Sequence, residues 1–198
     1  MTEETSSSEP PAKGISRRTV TKAMAWSVPA IAVAASVPAY AASGGGPSVV
    51  FGDACKLPGN SCGNVFVKGY IFDVTITNNT SKPLYLYNQA GYFITFTETN
   101  PDLSLFFQAA VDATTGEEIT FPYLLEPEAS IAIILNAGEN GDSRNQSLAG
   151  TMSLPWGHTP TPPDPDNHPP IVTPFSYADT PPVQNPACNV VLPPNCGQ

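Results

Sequence analysis

An all-β, antiparallel sandwich is predicted for residues 49–198 of this chain. Three observations predict it. Runs of β-branched and aromatic residues alternate with a period of two; turn signals separate them at intervals of about 8–15 residues; and no sustained helical period occurs after residue 41. With 41% hydrophobic and 9% aromatic residues in 198, the chain has material for one core.

The elements follow in order. Residues 42–48 (Ala-Ser-Gly-Gly-Gly-Pro-Ser) are a flexible spacer. Tyr70, Phe72, Val74 and Ile76 share one face of a strand, with Ile71, Asp73, Thr75 and Thr77 on the other. Asn78 to Pro83 is a turn, after which Leu84 to Tyr87 resumes the pattern. Tyr92, Ile94 and Phe96 alternate against Phe93, Thr95 and Thr97. Leu103–Phe107, Glu118–Phe121, Ile131–Leu135 and Leu148–Leu154 are the further strands, and only Phe106–Asp112 has an ambiguous period.

From Pro155 to Pro194 the texture changes, because 13 of these 40 residues are proline. Prolines donate no ladder hydrogen bonds, so Thr159 to Pro170 is expected to be an extended, polyproline-like surface excursion. The excursion covers 155–186, with Ile171–Thr173 and Asn189–Leu192 as returning edge or closing strands. Its length marks it as functional or as a stiff tether.

The start of the chain is different again. Residues 1–41 hold four of the eight basic residues, while residues 42–198 hold four basic and 14 acidic ones, a net charge of −10. Ser16-Arg17-Arg18-Thr19-Val20-Thr21-Lys22 precedes the uncharged run Ala23–Val37 and the triplet Ala39-Tyr40-Ala41. A basic segment, a short apolar run and an A-x-A site make a cleavable signal peptide, with cleavage expected between Ala41 and Ala42. Ser-Arg-Arg-x-Val-x-Lys resembles the bacterial twin-arginine (Tat) signal, although Val20 and Thr21 stand where Phe and Leu are commoner. The stretch Arg17 to Ala42, with Trp26-Ser27-Val28-Pro29, is similar to the leaders of exported proteins of actinobacteria. The resemblance implies the twin-arginine translocon as partner during export. The apolar run is short for a membrane span, and no lipid-attachment cysteine follows it directly, so no stable membrane anchor is expected after cleavage.

Cys55, Cys62, Cys188 and Cys196 all follow the leader, and an even number in an exported chain reads as two disulfides. Three pairings exist. The short, turn-rich spacings favour the local pairs Cys55–Cys62 and Cys188–Cys196, whereas a long-range pairing would staple the two ends of the domain. The spacing does not suit a zinc site of four cysteines. The run from Tyr70 to Leu84 resembles the second and third strands of immunoglobulin-like domains in bacterial surface proteins, which implies an immunoglobulin-like sandwich. The Cys…Trp…Cys core pattern of antibody domains is missing around Trp156.

Composition and motifs also bear on chemistry. A chain with eight Lys and Arg against 17 Asp and Glu does not neutralise phosphates, so no nucleic-acid partner is expected. The only histidines, His158 and His168, lie in the proline-rich stretch. No G-x-S-x-G elbow or phosphate loop occurs, and Glu126 and Glu128 read as a solvated turn, so no catalytic residue, cofactor or enzyme activity is expected. Asp164, Asp166 and Asn167, and in another loop Glu139, Asn140 and Asp142, supply oxygens suited to calcium. Neither group matches the twelve-residue calcium loop, so solvated acids are the expectation and no metal is assigned.

Tyr85, Tyr87 and Phe93 are the candidate ligand-binding residues, because outward aromatics on neighbouring strands stack on sugar rings. Otherwise they pack inward or lie beneath the proline-rich excursion. The expected function is a non-enzymatic, secreted or cell-surface β-sandwich with a structural or adhesion role toward a surface protein or glycan. A carbohydrate-binding module is the alternative.

Overall fold

The computed structural model describes residues 46–57, 65–66, 68–89, 91–139, 143–183 and 185–192. The leader, Arg17, Arg18, Ala41, Ala42, Cys62, Cys196, Asn140 and Asp142 lie outside the described residues, as does the side chain of Glu139. All described residues belong to the unit Ala42–Gln198.

The described residues form ten strands and no helix. They are β1 (Ser48–Lys56), β2 (Tyr70–Thr77), β3 (Leu84–Leu86), β4 (Thr95–Glu98), β5 (Leu105–Asp112), β6 (Tyr123–Leu125), β7 (Ser130–Glu139), β8 (Leu148–Leu154), β9 (Trp156–Gly157) and β10 (Ile171–Tyr177). A seven-stranded sheet runs β1-β2-β7-β5-β4-β8-β10 and a three-stranded sheet runs β6-β3-β9, with every strand pair antiparallel. The all-β class read from the periodicity is therefore the class observed.

The large sheet curls on itself. Phe72 of β2 meets Phe51 of β1 at 5.6 Å between ring centroids, Phe96 of β4 at 6.1 Å, and Phe175 of β10 at 5.5 Å. One ring touches strands from both edges and the middle only if the sheet is concave around it. The edges themselves meet, since the Tyr177 hydroxyl of β10 donates to the Gly52 carbonyl of β1 at 3.1 Å. Tyr70, Phe72, Val74 and Ile76 point into this concavity, together with Leu135 of β7, Met152 of β8, and Leu84 and Leu86 of the small sheet. Burying each such side chain contributes about 1.5–3 kcal/mol. Asn78 ties the end of β2 to the small sheet: it is fully buried, and its Nδ2 donates to the carbonyls of Lys82, Leu125 and Glu126 at 2.9–3.0 Å.

The outer face of β2, β5 and β7 is covered too. Ile71, Val111 and Ile134 pack there with Cys55, Leu57, Phe66 and Val190. The C-terminal segment provides the cover. It returns to β1, where the Lys56 amide donates to the Pro181 carbonyl at 3.0 Å and the Val183 amide to the Lys56 carbonyl at 3.1 Å. This return corrects the expected cysteine pairing. Cys55 is bonded to Cys188 across a sequence separation of 133, so neither local pair, Cys55–Cys62 or Cys188–Cys196, forms. Loop spacing favours a local bond only while nothing else brings distant cysteines together.

Other departures have similar causes. β1 has no clean period because its register shifts between Phe51 and Ala54. Glu118–Phe121 is reduced to a bridge between Glu118 and Val111, and Asn189–Leu192 is not a strand but sends Val190 into the outer core. The ambiguous Phe106–Asp112 lies within β5. Ile171–Thr173 extends through Pro174 to Tyr177 as the edge strand β10, where proline is tolerated.

In the chain-entropy account, closing a loop of 133 residues stabilises the fold by about 5 kcal/mol, the top of the usual range. The double variant Cys55→Ser/Cys188→Ser is therefore expected to lose about 2–5 kcal/mol in urea unfolding. The same chain should resist urea less after reduction.

Candidate functional site

The proline-rich segment is a compact loop, not an extended excursion. It begins at β9, where Trp156 and Gly157 pair with Leu86 and Tyr85 of β3. Gly157 is required there by close approach, since a Cβ would run into the Tyr87 hydroxyl and the Asp164 carboxylate. Asp164 is the centre of the loop, with a side chain only 2% exposed. Its Oδ2 accepts the backbone N–H of His158 and, at 3.1 Å, that of Thr159. Its Oδ1 accepts the N–H of Asp166 at 2.9 Å, an Asx turn. Asn167 follows in the left-handed region at φ 48°, a conformation its short polar side chain tolerates. Burial alone would push the Asp164 carboxyl up, but the amides of Asp166, His158 and Thr159, with His168 nearby, outweigh it and hold it below the ordinary range.

The loop is clamped onto the small sheet by side chains. The Tyr87 hydroxyl donates to the Thr159 carbonyl at 2.5 Å, His158 Nδ1 to the Pro83 carbonyl at 2.8 Å, and Gln89 Nε2 to the Pro160 carbonyl at 3.3 Å. Trp156, itself buried, donates from Nε1 to the Pro169 carbonyl at 3.1 Å. The His168 ring stacks on the Trp156 indole at 4.1 Å and 15°, and His158 stands edge-on to both. His168 Nε2 lies 3.9 Å from Asp164 Oδ1 and 3.8 Å from Asp166 Oδ2. The structure thus brings Asp164 and Asp166 together with His168, while Asn167 is exposed. Sequence reasoning passed over His168, although the alternate spacing Asp-x-Asp-x-His was its signal.

The three aromatic candidates part company. Tyr87 is buried under the proline-rich loop, and burial first, with the Asp164 charge adding, raises its hydroxyl pKa against the opposing Thr159 hydrogen bond. No face of Tyr87 is open for stacking. Tyr85 is half-buried within β3. Of the three, Phe93 alone is open, at 54% exposure, and Phe106 of β5 is also exposed, at 47%. These two rings line a shallow groove of about 350 Å³ with Asn88, Thr95, Leu105 and Phe107. Phe106 lies over Gly138 of β7, where a Cβ would occupy the place of its ring. Phe106 was recognisable from the Phe106-Phe107 doublet, because adjacent strand residues point to opposite faces.

A second, polar groove of about 300 Å³ is lined by Asp53, Tyr177 and Asp179. Asp73 stands nearby; burial, then the Asp53 carboxylate, raises its pKa. Burial, then Asp53 and Asp73, pushes the Tyr177 phenol well above its ordinary value. Glu126 and Glu128 are exposed in the turn between β6 and β7.

Replacing Asp164 removes an acceptor from three backbone donors and puts an amide among them. Asp164→Asn is expected to cost about 2–3 kcal/mol in thermal unfolding, against less than about 0.5 kcal/mol for the exposed turn acid in Asp102→Asn.

No protein-family model matches the chain, and neither the curated proteins nor the solved structures hold a match to it.

Proposed function

We propose that the chain is a non-enzymatic, immunoglobulin-like β-sandwich exported on its twin-arginine leader, with a structural or adhesion role at the cell surface or in the medium. The observation that carries the interaction role is that two exposed phenylalanines, Phe93 and Phe106, line one groove. Large apolar side chains set together in the open mark contact surfaces, and aromatic residues are the commonest anchors. Support for export comes from Arg17 and Arg18 in the leader pattern and from the Cys55–Cys188 disulfide, a bond that persists in oxidising compartments. No helix among the described residues is long and apolar enough to cross a membrane. The net charge of −10 after residue 41 disfavours anionic partners.

A carbohydrate-binding role is the second reading. It rests on Phe93 and Phe106 as the stacking pair, since Tyr87 is covered and Tyr85 does not line the groove. Sedimentation with insoluble cell-wall fragments tests both readings. The chain should sediment with the fragments, and Phe93→Ser/Phe106→Ser should weaken this about tenfold with the β-sheet circular-dichroism spectrum retained. Displacement by soluble wall oligosaccharides supports the glycan reading; loss after protease treatment of the fragments supports a surface protein. A chain that stays in the supernatant, or a double variant that sediments like the parent, overturns the interaction role.

A further inference from the structure

We propose that Asp164, Asp166 and His168 bind one divalent transition-metal ion, with zinc as the representative case. The three donor atoms lie within 4.8 Å of one another. His168 Nε2 is the deciding atom. It is buried from solvent and has no hydrogen-bond partner. The carboxylate oxygens of Asp164 and Asp166, at 3.9 and 3.8 Å, are beyond hydrogen-bond reach. A buried ring nitrogen without a partner costs about 1–3 kcal/mol. One ion between the three groups answers that cost. Ligand atoms about 2.1 Å from a tetrahedral zinc lie about 3.4 Å apart. The two His168–carboxylate separations therefore need to close by only about 0.5 Å, and the third, between the carboxylates, lies within 4.8 Å and is set by the exposed, rotatable Asp166 side chain.

The donors are also held in place beforehand. Asp164 is fixed by three backbone amides, and Oδ1 accepts only one of them, which leaves it a lone pair for an ion. The His168 ring is fixed by its stack on Trp156. Such outer contacts are what orient metal ligands. Asp166, at 62% exposure, leaves an entry path from solvent. Two carboxylates with an imidazole suit zinc and its neighbours; calcium and magnesium take oxygen ligands, six or more for calcium. Three protein ligands leave one tetrahedral position for water.

The test is calorimetric titration of the full chain with zinc chloride after chelator treatment, without reductant, alongside tryptophan fluorescence. Binding should be equimolar and should change the emission of Trp156, on which His168 stacks. Asp166→Asn and His168→Gln should each raise the Kd at least about tenfold, with the metal-free melting temperature of Asp166→Asn, whose side chain is exposed, unchanged. His158→Gln should leave the Kd alone, because the His158 Nδ1 is committed to Pro83. Magnesium at the same concentration should not compete. Absence of saturable zinc binding, or equal Kd values in the parent, Asp166→Asn and His168→Gln proteins, overturns the site.

Discussion

Strand β2 has to be covered on both faces, and most of the architecture follows from that. Tyr70, Ile71 and Phe72 are consecutive, so their side chains point alternately to opposite sides, yet each is fully buried. One face is covered by the same sheet, whose curl carries β4 and β10 round to Phe72. The other is covered by the C-terminal segment, which supplies Val190 and is bonded to β1 through Cys188. Without that return the apolar surface of Ile71, Val111 and Ile134 would face water. The disulfide therefore sits inside the outer core, where it holds the cover in place.

The proline-rich loop solves a related problem by different means. Thirteen prolines in 40 residues cannot satisfy one another through a ladder. A single buried carboxylate, Asp164, gathers the amides of His158, Thr159 and Asp166 instead. Tyr87 and Trp156 then bind the loop's carbonyls at Thr159 and Pro169, and the loop's His158 donates to the Pro83 carbonyl just before β3. The result is a shelf that carries both histidines, while the phenylalanine groove is lined by β4, β5 and the segments beside them. Two chemically unlike surfaces, one polar and one aromatic, thus depend on separate parts of the framework.

Periodicity made β2 legible because Val74 and Ile76 alternate with Asp73, Thr75 and Thr77, while β7 was legible as a short apolar run between turn signals. For Tyr87 it left two readings, an outward stacking face or cover by the proline-rich segment, and the structure shows the second, with the cover coming from a loop more than 70 residues away. Strand β1 was hidden by its own bulge at Gly52 and Asp53, which shifts the alternation midway. Cysteine pairing was beyond sequence reading for a physical reason. It is decided by which segments meet, and the meeting of Cys188 with β1 rests on backbone bonds from Lys56 that carry no sequence signal. The acids at 164 and 166 were visible, but their partner His168 needed the turn set by Asp164 to bring it round.

The whole arrangement rests on the C-terminal segment being stapled to β1. Tryptic digestion without reduction, followed by tandem mass spectrometry, tests it most directly. Trypsin cuts after Lys56, which separates Cys55 from Cys62, and it has no site after Arg144. The peptide ending at Lys56 should be linked to the C-terminal peptide through Cys55 and Cys188. Finding it linked to the peptide Leu57–Lys68, through Cys62, would contradict the claim.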